Sequence, residues 1–389
     1  MPLQYLKRTF LSPVLEFIHD SRAIGITILT CSILSLLLTN STAGNAFLSM
    51  LNTETHLAEW LPHSILHWIN DGLMAIFFLL AGMEIKREIL QGELSTIKKA
   101  GLPAMGALGG MLVPAGIFYV FNQQTDFAAG WGIPMATDIA FSLGVASLLG
   151  KKVPLSLKIF LTALAIIDDL GAIIAIAVFY TSSLNITFLL AAFILFVVMA
   201  IWAKWKKPFG WWNIVAGILL WILLFNSGIH ATIGGVLFAF TVPVNKLVVW
   251  ENKLHHGVNF MIIPLFVLAN TAIVIPSTFW ADIGSTLSTG IMLGLLVGKP
   301  LGIYLFCRLA IRLKWGELSA EISQKHLIGL GLLASIGFTM SIFISLLAFE
   351  QPIYQTISKS AVILASVIAI LLSFAWFKWG IKEARSEAS

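Results

Sequence analysis

The sequence predicts an all-α integral membrane protein of about twelve transmembrane helices, and three features carry that expectation. Of 389 residues, 58% are hydrophobic and only 11% charged, whereas a soluble domain carries about 25% charged residues. Apolar runs repeatedly reach the roughly 20 residues that a helix needs to cross a bilayer, and the strict alternation of an outer-membrane barrel strand is missing. Lys and Arg, finally, collect in every second connection between those runs.

Lys7 and Arg8 open the chain, but Glu16, His19, Asp20 and Arg22 intervene before the first apolar run at 23–39. A cleavable leader would place its apolar segment directly after the basic residues. The run is therefore expected as a retained first span, preceded by an interfacial helix. Further spans are expected near 64–90, 100–121, 128–149, 155–180, 186–203, 212–225, 228–242, 257–275, 287–310, 326–349 and 357–379. Basic residues mark alternate connections: Lys86, Arg87, Lys98 and Lys99, then Lys151, Lys152 and Lys158, then Lys204, Lys206 and Lys207, then Lys246 and Lys253, then Arg308, Arg312, Lys314 and Lys325. The connections 40–63, 122–127, 181–185 and 276–286 have none.

Short cytoplasmic loops retain Lys and Arg, so this alternation predicts a multi-pass protein with both termini in the cytoplasm. Of the 24 Lys and Arg, all but Lys299 and Lys359 fall on that side. The net charge of +5 thus reports topology. It points to an anionic lipid surface as electrostatic partner rather than to nucleic acid. Cys31 and Cys307 lie inside apolar runs and read as small buried hydrophobes, with no disulfide framework or metal site implied.

Few charges sit deep in the spans: Asp138, Asp168, Asp169 and Lys299. Each ionised side chain at that depth costs at least about 2.5–3.5 kcal/mol, so such residues line ion paths or pair with one another. A purely structural Asp–Lys pair accounts for one carboxylate and leaves two over. Asp168 and Asp169, in LAIIDDLGAIIAI, point roughly 100° apart on a helix and cannot both face one partner. Their protonation is coupled, so the pair titrates as a unit.

The stretch GWGIPMATDIAFSLGV, residues 130–145, predicts an interrupted helix: Pro134 disfavours helix before it, Gly132 adds freedom, and Thr137 and Asp138 can bond the freed backbone. Hydroxyl, carboxylate and unwound carbonyls are hard oxygen donors that suit Na+ or Li+. A second interruption is expected at ASIGFTMSIF, residues 334–343, where Ser335, Gly337, Thr339 and Ser341 weaken the helix.

WINDGLMAIFFLLAGMEIKREIL (68–90), PMATDIAFSLGV (134–145), LTALAIIDDLGAIIAIAVFYT (161–181), GIHATIGGV (228–236), GKPLGI (298–303) and IGFTMSIF (336–343) closely resemble the NhaA-type bacterial sodium/proton antiporters. The resemblance extends from about residue 20 to 380, in order as well as in letters. It implies one transmembrane transporter domain over 1–389 in the bacterial inner membrane, with inverted-topology repeats at about 100–180 and 288–380 and two interrupted, crossing helices. This family is itself a standing example of that architecture. The resemblance makes Asp168 and Asp169 the proton and sodium carriers, places Asp138 and Thr137 beside them, and makes Lys299 a partner of Asp168. Transport of Na+ and Li+ against H+ calls for no cofactor and is expected to be pH-regulated and electrogenic, with about two protons per Na+.

Glu84, Arg87 and Glu88 share one helix face at the end of the second span. The resemblance makes them a pH-sensing cluster together with Glu251, His255 and His230; Asn252 stands where the family has a histidine. It also implies a homodimer joined through a β-hairpin, yet the 40–63 segment has neither clear alternation nor a central glycine. Two other classes fit less well. An intramembrane aspartyl protease needs its aspartates on separate facing helices, and IIDDLG is not its motif, so no catalytic residues are expected. A cation channel would trap ions at carboxylates buried beside a lysine.

Overall fold

The computed structural model describes residues 21–381 except 56–57, 59, 93, 182–183, 206–208 and 320. The interfacial helix expected before residue 21 lies outside the described residues, as do Lys206 and Lys207. Among the described residues every regular element is helical. In chain order they are α1 Ser21–Thr39, α2 Gly44–Leu51, α3 Ile65–Gln91, α4 Ile97–Asn122, a 3-10 helix Ala128–Met135, α5 Ile139–Leu148, α6 Leu155–Phe179, α7 Ile186–Lys204 and α8 Trp211–Phe225. There follow α9 Ile233–Thr241, α10 Val244–Gly257, α11 Ile263–Asn270, α12 Phe279–Ile283, α13 Thr286–Arg312, α14 Gln324–Ala334, α15 Phe338–Ala348 and α16 Pro352–Gly380.

Among the described residues, eight helical runs are long and apolar enough to cross a membrane, and α14 with α15, bent by 49°, make a ninth if counted as one crossing. The other three runs expected as spans form shorter helices: α8, α9, and α11 with the π turn Val258–Ile262 before it. Residues 244–256, read from their charges as a connection, are helical and run straight on into that π turn. Two π turns immediately precede prolines, Val258–Ile262 before Pro264 and Gly294–Gly298 before Pro300. The wider turn accommodates the missing proline N–H without ending the helix. In α13 that turn runs directly into Lys299.

The 40–63 segment contains α2 and then a single antiparallel bridge, Glu54 to Ser64, with the Thr55 N–H donating to the His63 carbonyl at 2.8 Å. That closes a loop without building a strand pair among the described residues.

Helix packing here has no hydrophobic contrast with lipid to drive it, so close backbone approach matters more than in water. Helix α13 lies on α4 at Gly302 and Gly109. A Cβ on Gly302 would stand 2.1 Å from the Gly109 carbonyl oxygen, and one on Gly109 would stand 2.3 Å from the Gly302 carbonyl oxygen. Neither neighbour is a movable side chain. Gly302→Val should therefore force the helices apart at a cost of about 1–3 kcal/mol or more, seen as a lower unfolding temperature of the detergent-purified protein; an unchanged temperature would contradict this packing.

Candidate functional site

Two helices break inside the apolar interior, and the breaks face each other. One runs from the 3-10 helix Ala128–Met135 into α5, the other from α14 into α15. A break leaves N–H groups open at the start of each second half and carbonyls open at the end of each first half. Asp138 answers the first need in both broken helices at once. It caps α5, its Oδ1 accepting from the Phe141 N–H at 3.0 Å. Its Oδ2 accepts from the Thr339 N–H at 3.0 Å and from the Thr339 hydroxyl at 2.6 Å, in the first turn of α15. One carboxylate thus sits at two positive helix ends.

The open carbonyls are met reciprocally. Ser142 of α5 donates to the Leu333 carbonyl at 2.8 Å, and Ser341 of α15 donates to the Ile133 carbonyl at 2.8 Å. Between the breaks the Asp138 N–H donates to the Ile336 carbonyl at 2.8 Å. Gly337 permits this approach, since a Cβ there would meet Ser341 Oγ at 2.3 Å and the Ala136 carbonyl oxygen at 2.9 Å.

Lys299, fully buried on α13, serves the negative end of the first break: its Nζ donates to the Met135 carbonyl and, at 2.6 Å, to Asp168 Oδ2. The Thr137 hydroxyl lies 2.7 Å from the same Asp168 oxygen and 3.0 Å from the Ala334 carbonyl. Asp168 is therefore tied to lysine and threonine through one oxygen, while its Oδ1 has no partner. Asp169 Oδ1 likewise has none. Two unpartnered oxygens on adjacent buried residues are an arrangement able to accept a proton or a monovalent cation.

Asp169 faces a cavity of about 220 Å³ that Asp138, Thr162 and Thr339 also line, and that extends to Glu84, Arg87, His255 and Asn259. Thr137 and Asp168 do not line it; the Thr137 hydroxyl lies on the Asp168 carboxylate instead. At the cavity's far end Arg87 bridges Glu88 at 2.6 Å and Glu251 at 2.9 Å. Glu84, Arg87, Glu88, Glu251 and His255 are thus brought together from α3 and α10. Burial, and then the charge of His256, hold the His255 imidazole below the usual histidine range. His230 stands apart: it donates from Nε2 to the Tyr180 carbonyl at 2.8 Å and lines a different cavity with His67 and Asp71, at the opposite end of α3 from Glu84.

Thr339 and Ser341 are visible in the sequence only as helix-weakening residues, and Ser142 and Thr162 not at all. The available signal was the recurrence of a hydroxyl four residues after each break, Ser142 after Asp138 and Ser341 after Gly337.

The sequence profile described as Na+/H+ antiporter 1 matches residues 15–377. The chain is similar to the Na(+)/H(+) antiporter NhaA of Cytophaga hutchinsonii, with 46% identity over 377 residues that cover 95% of this chain and 96% of that protein. It is also similar to Na(+)/H(+) antiporter NhaA 2 of Flavobacterium johnsoniae, at 47% over 91% of this chain and 89% of the relative, and to Na(+)/H(+) antiporter NhaA 1 of Clostridium beijerinckii, at 42% over 96% of each.

The double cap makes a stability prediction independent of transport. Asp138→Ala strands buried N–H donors at both breaks, at about 1–3 kcal/mol each, while Asp138→Asn keeps one acceptor. Unfolding temperatures should rank wild type above Asn above Ala; equal values for Asn and Ala would remove the double cap.

Proposed function

The chain belongs to the Na+/H+ antiporter 1 family, and from that premise we propose that it exports Na+, and Li+ by the same oxygen chemistry, through Asp168 and Asp169 in exchange for protons. The observation that carries this reading is the Asp169 carboxylate, buried, open to a cavity and lacking a partner for Oδ1, beside an Asp168 already held by Lys299. Asp169 is the first ligand of the cation. Asp168 and Thr137 join it only when Lys299 releases the Asp168 oxygen that both now share. Lys299 is thereby either a fixed counter-charge or itself a proton carrier, and Asp138 holds the crossing and lines the ion's cavity beside Asp169. No cofactor is needed, since the reaction moves ions and makes or breaks no covalent bond other than to hydrogen.

The cycle runs as follows. With the cavity open to the cytoplasm, the two aspartates release protons and Na+ enters. Movement of the repeats, about 100–180 against 288–380, exposes the ion to the other side of the inner membrane, where protons displace it. Two protons in for one Na+ out carry one net charge inward, so the membrane potential drives export with about 2.3 kcal/mol per 100 mV. The basic connections support a reading with both termini in the cytoplasm, facing an anionic lipid surface. The working form is a homodimer.

Regulation by pH resides in Glu84, Arg87, Glu88, Glu251 and His255: Glu84, Arg87 and His255 share the cavity of Asp169, and Glu88 and Glu251 act on it through Arg87. His230, on the other cavity, contributes through the Tyr180 carbonyl rather than through that cluster.

Asp169→Asn should abolish Na+-dependent proton movement in everted vesicles at every pH, with wild-type folding; retained exchange would sink the assignment. Glu251→Gln leaves the Arg87 charge without its 2.9 Å partner. The added positive field along the cavity should move the onset of activity toward lower pH while the plateau is kept. A profile displaced the other way, or a lost plateau, would argue against regulation from this cluster.

A further inference from the structure

We propose that a groove between α4, α6 and the segment from Leu313 to Ser319 binds the phosphate of an anionic membrane phospholipid. The groove encloses about 680 Å³, within the roughly 300–1,000 Å³ usual for ligand sites. Lys98, Lys99 and Lys314 line it, against the single acid Glu317, and below them lie Leu102, Ile159 and Phe160. Ammonium groups above an apolar floor match a phosphate above acyl chains. A soluble phosphate would gain nothing from that floor. Trp315, about half exposed on the same groove, adds the amphipathic ring that favours the headgroup level of a bilayer.

The backbone at Lys314 points the same way. Helix α13 ends with the Trp315 N–H donating to the Ala310 carbonyl at 2.9 Å and the Lys314 N–H donating to Ile311 at 3.1 Å. This pairing places Lys314 at the position where a left-handed residue, normally glycine, terminates a helix. Lys314 holds φ at 58°, the only non-glycine with positive φ among the described residues. A lysine retained against that conformational preference is explained by a need for its side chain, because the turn itself would be better served by glycine. The turn is also fixed in place: a Cβ on Gly101 of α4 would stand 2.2 Å from the Trp315 carbonyl oxygen, so the segment lies directly on the helix.

The test uses the full chain in detergent, followed by thermal unfolding with added phosphatidylglycerol, phosphatidylcholine or inorganic phosphate. Phosphatidylglycerol should raise the unfolding temperature and the other two should not. A lysine at a lipid phosphate is worth about fivefold in affinity, so Lys98→Gln with Lys314→Gly should need about 25-fold more phosphatidylglycerol for the same rise. Without lipid, Lys314→Gly alone should unfold at or above the wild-type temperature, which separates loss of the ligand from loss of the fold. An undiminished response in the double variant overturns the site, as does equal stabilisation by phosphatidylcholine; equal stabilisation by inorganic phosphate overturns the lipid in favour of a soluble anion.

Discussion

The Asp138 carboxylate is the interaction on which the rest of the site depends. Two broken helices meet in a buried, largely apolar interior, where open N–H and carbonyl groups need partners from the protein itself. Like ends of the two halves face the same region and would repel one another. A single negative group accepting from the starts of both α5 and α15 turns that conflict into a joint. Lys299 performs the opposite service at the Met135 carbonyl. Once these charges are in place, irregular backbone becomes tolerable at depth, and only then can oxygen atoms be presented to an ion there.

The same constraint makes the neighbouring aspartates unequal. About 100° of helical rotation separates them, which turns Asp168 toward Lys299 and Thr137 and leaves Asp169 on the cavity. A buried ion pair gains little net stability, yet removing one partner is costly because it strands the other. The Asp168–Lys299 pair is therefore a poor ornament and a good switch. Its components are valuable apart only when something else takes the place of each.

Much of this was legible in the sequence because charge is rare in it. Four ionisable residues in the spans announced themselves against an apolar background, and Pro134, Gly132 and Gly337 marked the breaks. Span boundaries were less legible: the polar residues of 244–256 read as a connection, whereas local helix propensity carries α10 through them into the next helix. The shorter helices α8, α9 and α11 show why counting apolar runs is a different matter from measuring helices. Hydroxyls were least legible of all. Ser142, Ser341 and Thr339 act through partners about 190 to 210 positions away, and serine or threonine within a helix has many local uses. Likewise, the sequence places Thr137 next to Asp138, and only the fold shows its hydroxyl on the Asp168 carboxylate.

The exchanged serines carry a consequence for how such a chain can vary over generations. Each belongs to one interrupted helix and satisfies a carbonyl of the other, at separations of 191 and 208 residues. A lineage that loses one hydroxyl leaves the deficit in the opposite half of the gene. Repair must then arise far from the original change, so the two halves, though distant in the coding sequence, inherit their alterations as a single unit.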